Sequence, residues 1–143
     1  MTGMRDLRIE AARSALSRGD LETVRRFGST LVTDNPSDAE GHFLLGVAEA
    51  SSGGTRSGIK HLVRAVAIDP QGEYRAQLAR LFIMVRRDGD AAATLRDAEQ
   101  ALPRDALSRD TMGCVYARLG NHEAALTHFD EAVTLAPGNT EYR

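Results

Sequence analysis

The run Met112-Gly113-x2-Tyr116, followed by Ala125-x3-Phe129-x2-Ala132-x4-Pro137, narrows the fold more than any other feature, because weaker copies of its spacing recur along the chain. Small residues at fixed places in a period of about 34 residues mark a solenoid of helix pairs. Such a chain offers a surface, not a reaction centre.

The copies align through their turn glycines. In the fourth, Leu119-Gly120-Asn121 separates helix A, expected over about 106–118, from helix B, over about 122–135. In the second, Leu45-Gly46 matches Met112-Gly113, and the match continues through Gly53, Gly58, Leu62, Ala65 and Pro70. The first leads from Ala11-Ala12 and Ala15 to Gly19-Asp20, then Val24, Gly28, Leu31 and Pro36. The third is irregular: Leu81-Phe82 and Val85 precede Gly89-Asp90, Thr94, Ala98 and Ala101 follow, and Pro103 arrives early. An extended helix A and a curtailed helix B are expected there.

Each residue type has a physical task. Antiparallel helices approach closely only where side chains are small, so Gly46 and Gly113 belong at crossings. A glycine inside a helix costs about 1 kcal/mol against alanine, which is tolerable where a bulkier group would overpack the contact. The Gly-Asp and Gly-Asn pairs at 19–20, 89–90 and 120–121 read as a left-handed glycine followed by the N-cap of the next helix. Pro36, Pro70, Pro103 and Pro137 end the B helices, since proline lacks an amide hydrogen and disfavours the α conformation before it.

The fourth copy resembles a tetratricopeptide repeat (TPR), with Arg109 where the family's tryptophan usually stands and Glu49 in place of the aromatic of the second A helix. The resemblance covers about residues 5–139. It implies an all-α fold, a right-handed superhelical solenoid of antiparallel helix pairs whose inner groove holds a peptide or a partner domain. The expected organisation is a single domain over 1–143, with repeats at about 5–38, 39–72, 75–105 and 106–139 and the start of a further helix at 140–143. The fourth copy and its continuation are also similar to the N-terminal repeat arms of bacterial TPR proteins fused to a sulfotransferase domain. That likeness would put any transferase activity outside this chain.

Composition restricts the partners. A net charge of −2 lacks the basic footprint that phosphate backbones demand, so no nucleic-acid partner is expected. No run of 18 apolar residues is present, and the arginine- and aspartate-studded start has no signal-peptide core. Cys114 is the only cysteine, which excludes an internal disulfide and suits a reducing, cytoplasmic setting. Lys60 is the only lysine among many arginines, a bias common in GC-rich bacterial genomes.

The search for chemistry returns decoys. Gly53-Gly54-Thr55-Arg56-Ser57-Gly58-Ile59-Lys60 has the two glycines of a phosphate loop, but Ile59 stands where the lysine must be. His42, His61, His122 and His128 include no i, i+4 pair, and His128 reads as a solvated or rim histidine. Cys114 has no histidine partner in view, and Asp88 and Asp90 read as turn residues. No catalytic constellation, cofactor or metal site is expected.

The resemblance supplies a candidate groove instead. The family's inner wall comes from helix A, and carrying its positions over gives Arg13 and Leu16, then Phe43, Val47 and Ala50, then Ala79, Ile83, Arg86 and Arg87 with Arg80 adjacent, and last Asp110, Cys114 and Arg118. Apolar Phe43, Val47 and Ile83 would bury ligand side chains, and the surrounding arginines would pair with carboxylates. The expected partner is a protein or extended peptide, apolar with acidic flanks. Leu126, Val133 and Leu135 would leave an apolar face at the C-terminal end, which suggests self-association there or a longer protein.

Overall fold

Eight α-helices and no strand make up the described residues, 3–136, of the computed structural model. They are α1 (Met4–Ser17), α2 (Leu21–Asp34), α3 (Ala39–Ser51), α4 (Thr55–Ile68), α5 (Gly72–Met84), α6 (Asp88–Glu99), α7 (Ala106–Arg118) and α8 (His122–Leu135). Pro137 and the expected helix start at 140–143 lie outside the described residues. The chain divides into two compact units, Met1–Pro70 and Gln71–Arg143, each holding two helix pairs. No described helix is long and apolar enough to cross a membrane.

One joint closes every pair. In each, the amide three residues past the last helical residue reaches back to a carbonyl five residues earlier: Asp20 to Ala15 (2.9 Å), Gly54 to Glu49 (2.8 Å), Arg87 to Phe82 (2.8 Å) and Asn121 to Tyr116 (2.9 Å). This closure needs one residue with positive φ, and Gly19 (76°), Gly53 (92°) and Gly120 (84°) supply it. Asp20 and Asn121 then cap α2 and α8 by accepting from the amides of Thr23 and Ala124.

The third joint departs from the expected register. Arg86, at φ 61°, takes the left-handed place, Arg87 is the N-cap, and Gly89 lies inside α6. The left-handed residues are spaced 34, 33 and 34 apart (19 to 53, 53 to 86, 86 to 120), so the period is regular where Gly89 made it look broken. The extended helix A is corrected with it, because α5 spans 13 residues, as α3 and α7 do. Helix α6 is short, at 12 residues, and the buried Pro103 after it packs its ring nitrogen 2.6 Å from where a Cβ on Gly72 would sit.

Packing rests on bare backbone. A Cβ on Gly46 would lie 2.9 Å from the Gly58 carbonyl oxygen, and one on Gly58 would lie 2.6 Å from the Gly46 oxygen. Helices α3 and α4 therefore touch main chain to main chain. Gly28 and Gly41 bring α2 and α3 together in the same reciprocal way, at 3.4 and 3.3 Å. In the second unit, Gly113 makes room for the Phe129 ring of α8, 2.6 Å from a would-be Cβ. Ala12, Ala15, Leu44, Ala48, Leu62 and Ala65 fill the first core, and Leu81, Leu95, Met112, Val115 and Ala132 the second.

These contacts separate two kinds of glycine. Gly58→Ala should lower unfolding stability by about 1–3 kcal/mol through overpacking against a carbonyl that cannot move alone. Gly89→Ala, with open space around it, should raise stability by up to about 1 kcal/mol as helix propensity improves. Denaturant unfolding of both variants checks this, and a clear loss at Gly89→Ala would restore the register read from the sequence.

Candidate functional site

Helices α5 and α7, the A helices of the third and fourth repeats, lie side by side in the second unit. Arg80, Ile83 and Met84 on α5 and Cys114, Val115 and Arg118 on α7 share i, i+3 and i+4 spacings, so each set forms one helix face. The two faces enclose a hollow of about 270 Å³. Ile83, Met84 and Val115 are its apolar lining, of which only Met84 is well exposed, and the Arg80 and Arg118 side chains line it beside them.

Neither guanidinium meets a carboxylate among the described residues. Arg80 donates from Nε to the Gln77 side-chain oxygen at 2.9 Å and otherwise reaches the Met84 sulfur. Burial pulls its proton affinity below the ordinary arginine value. The first unit contrasts with this, since Arg5 pairs with Asp38 (2.8 Å), Arg8 with Asp34 (2.8 Å) and Arg13 with Glu40 (2.6 Å). A half-buried cation without a counter-charge is costly to hold, and an anion brought by a ligand relieves that cost. Cys114 at the same rim is a thiol, not a thiolate, because burial and then the nearby Asp110 push its pKa up.

The remaining candidate residues are placed differently. Phe43 and Val47 are 2% and 8% exposed, so they belong to the core and present almost no apolar surface. The Arg13 guanidinium grips Glu40 through two bonds, at 2.6 and 3.0 Å, and lies 4.9 Å over the Phe43 ring. Arg86 and Arg87 sit in the α5–α6 joint rather than on a helix face, a consequence of the three-residue register shift. Arg87 pairs with Asp90 at 2.8 Å and covers the Phe82 ring. Asp110 lies on α7 one turn before Cys114. The hollow thus unites Arg80, Ile83 and Arg118 from the candidate set.

A second cluster escaped sequence reasoning. His128, 3% exposed, is neither solvated nor at a rim. Arg109 donates from Nε to its Nδ1 at 3.0 Å, which leaves Nε2–H to donate to Glu99 at 2.7 Å. Tyr116 stacks on the imidazole at 5.2 Å between centroids and donates its hydroxyl to the same Glu99 oxygen at 2.7 Å. Burial and the Glu99 bond raise the Tyr116 hydroxyl pKa, so it stays protonated. Burial raises the Glu99 carboxyl, but its bonds to Tyr116 and His128 outweigh that and leave it below its ordinary value. Every member has a partner, so the network ties α6, α7 and α8 together and holds no activated nucleophile. A signal was present: Ala125, His128 and Ala132 occupy the buried stripe of α8, and Arg109 replaces the family's tryptophan.

Comparison with known proteins agrees with this architecture. Residues 106–139 match the tetratricopeptide repeat family model. No curated protein gives a significant sequence match. Among solved structures, TTC0263, a thermophilic TPR protein of Thermus thermophilus, is similar at a TM-score of 0.77 and 21% identity, over 97% of this chain and 77% of that one. MamA from Desulfovibrio magneticus RS-1 is similar at 0.65 and 19%, over 99% of this chain and 81% of that one. YrrB, described as a TPR protein with an unusual peptide-binding site, is similar at 0.64 and 16%, over 97% and 72%. At these identities the likeness is one of fold. The class is that of all-α helix-pair solenoids. More narrowly, residues 106–139 match the tetratricopeptide repeat model, in a fold shared with TPR proteins.

The buried network should be measurable. Tyr116→Phe should cost about 1 kcal/mol of unfolding stability through the lost bond to Glu99. Because the folded Glu99 value is depressed, its contribution is complete above its ordinary value of 4.5 and fades as pH falls through the folded value. Unfolding stability measured across that range should therefore fall less steeply with acid in Glu99→Gln than in the wild type. Parallel curves would remove Glu99 from the account.

Proposed function

We propose that this chain is a non-catalytic scaffold that captures an extended segment of a partner protein, and that the hollow between α5 and α7 selects it. The observation carrying this reading is the pair of arginines without carboxylate partners, Arg80 and Arg118, lining the same hollow as the half-exposed Met84. A ligand leucine or similar side chain would pack on Met84, while flanking carboxylates engage the guanidinium forks. This segment is apolar with acidic flanks. The net charge of −2 disfavours a nucleic-acid ligand for the same surface. The satisfied Arg109–His128–Glu99–Tyr116 network supports the non-catalytic part, because it offers no base poised beside a free nucleophile. The four repeats are read as serving one TPR domain, and the lone thiol fits a reducing, cytoplasmic setting.

A second reading has its own observation. Leu126 is 62% exposed on α8 and Leu135, about half a turn round the helix from it, is 40% exposed, apolar side chains of the kind that dock to another copy or to an attached domain. Under that reading the chain is a structural arm, and light scattering at high concentration would detect association that Leu126→Glu removes.

Fluorescence anisotropy with a labelled peptide carrying leucine between glutamates tests the first reading. Arg80→Glu and Arg118→Glu should each weaken binding by roughly tenfold or more, and added salt should weaken wild-type binding. Equal binding by both variants, or equal binding of a lysine-flanked peptide, would remove the hollow from the function.

A further inference from the structure

Two histidines that the scaffold function leaves unused meet across the second helix pair. His42 on α3 and His61 on α4, both in the first unit, bring their Nδ1 atoms to 3.4 Å, with ring centroids 5.7 Å apart. The His42 Nε2 lies 2.9 Å from the Pro36 carbonyl oxygen, so Nε2 carries the proton and donates it there. Its Nδ1 is left with a bare lone pair, on a ring whose orientation the same bond fixes.

We propose that His42 Nδ1 and His61 Nδ1 form a two-nitrogen site for a borderline divalent transition-metal ion of the zinc type. At 3.4 Å the pair is within reach of a weak N–H···N hydrogen bond in the metal-free protein, and the same spacing suits a shared ion. A tetrahedral ion bound to each nitrogen at about 2.0–2.1 Å holds the two about 3.3–3.4 Å apart, which is the separation found. Imidazole nitrogens suit zinc, copper and nickel rather than magnesium or calcium. A histidine ligand whose other ring nitrogen donates to a backbone carbonyl is the usual outer arrangement at such ions, and Pro36 provides it.

In the metal-free protein His61 presents Nδ1–H to His42, and binding shifts its proton to Nε2. No set of three or more His, Cys, Asp or Glu residues gathers to hold a metal among the described residues, so water completes the coordination. The ion would clip α3 to α4 beside the Gly46–Gly58 contact.

Titration of metal-free protein with zinc chloride by calorimetry tests the site. One ion per chain is expected, and His42→Gln and His61→Gln should each weaken binding by about tenfold or more. Unchanged binding in either variant, or binding lost in Cys114→Ser alone, would overturn the proposal. Long-range proton–nitrogen NMR of the wild type gives an answer that does not depend on variant folding. Zinc should move the Nδ1 resonances of His42 and His61 and leave those of His122 and His128 in place. Movement at His122 without movement at His42 and His61 would also overturn it.

Discussion

Contact between bare helix backbones is the constraint on which the first unit depends. Where α3 crosses α4, the Gly46 and Gly58 carbonyl oxygens stand so close to the facing α-carbons that a methyl group on either would collide. Gly28 and Gly41 face each other more loosely between α2 and α3, at 3.4 and 3.3 Å, and a methyl on Gly41 would meet the Val32 side chain at 2.9 Å instead. Each of these glycines weakens its own helix by about 1 kcal/mol relative to alanine, and the close approach offsets this through dispersion and burial along the rest of the interface. The second unit reaches the same end with one glycine and one aromatic ring, Gly113 against Phe129. The scaffold is therefore specified by the absence of side chains as much as by apolar patterning.

Charge is distributed unevenly over that frame. In the first unit, Asp38 caps α3 and also receives Arg5, while Glu40 receives Arg13. Those arginines serve the fold. In the second unit, Arg80 and Arg118 border a hollow with no acid of their own among the described residues, and Arg80 is partly desolvated. A guanidinium held this way attracts carboxylate from outside the molecule, whereas an already paired one does not. Exposure alone would not have separated the two groups, since both lie partly open. Their partners did.

The regular joints were readable because their chemistry is local. Gly19-Asp20 and Gly120-Asn121 announce a left-handed residue followed by a cap, and the helices on both sides begin and end where that chemistry puts them. The third joint was misread because Arg86, a residue type that rarely adopts positive φ, takes the glycine's place while Gly89 sits three residues on as a lure. That error carried Arg86 and Arg87 onto a face they do not occupy. The inner-wall positions carried over from the family, with Arg80 next to them, did name Arg80, Ile83 and Arg118, which line one hollow. The Arg109–His128–Glu99–Tyr116 network and the His42–His61 pair were invisible because their members come from different helices. The polar His128 in the otherwise small-residue stripe of α8, and Arg109 in the place of the family's tryptophan, hinted at the first.

The claim that matters most is that the α5–α7 hollow, and not the buried network or the exposed α8 leucines, meets the partner. Heteronuclear NMR during titration with a glutamate-flanked leucine peptide maps this directly. Shifts concentrated at the Arg80 and Arg118 Nε–H groups and the Ile83 methyls are the expected result. Shifts confined to Leu126 and Leu135 of α8, with Arg80 and Arg118 unmoved, would contradict it.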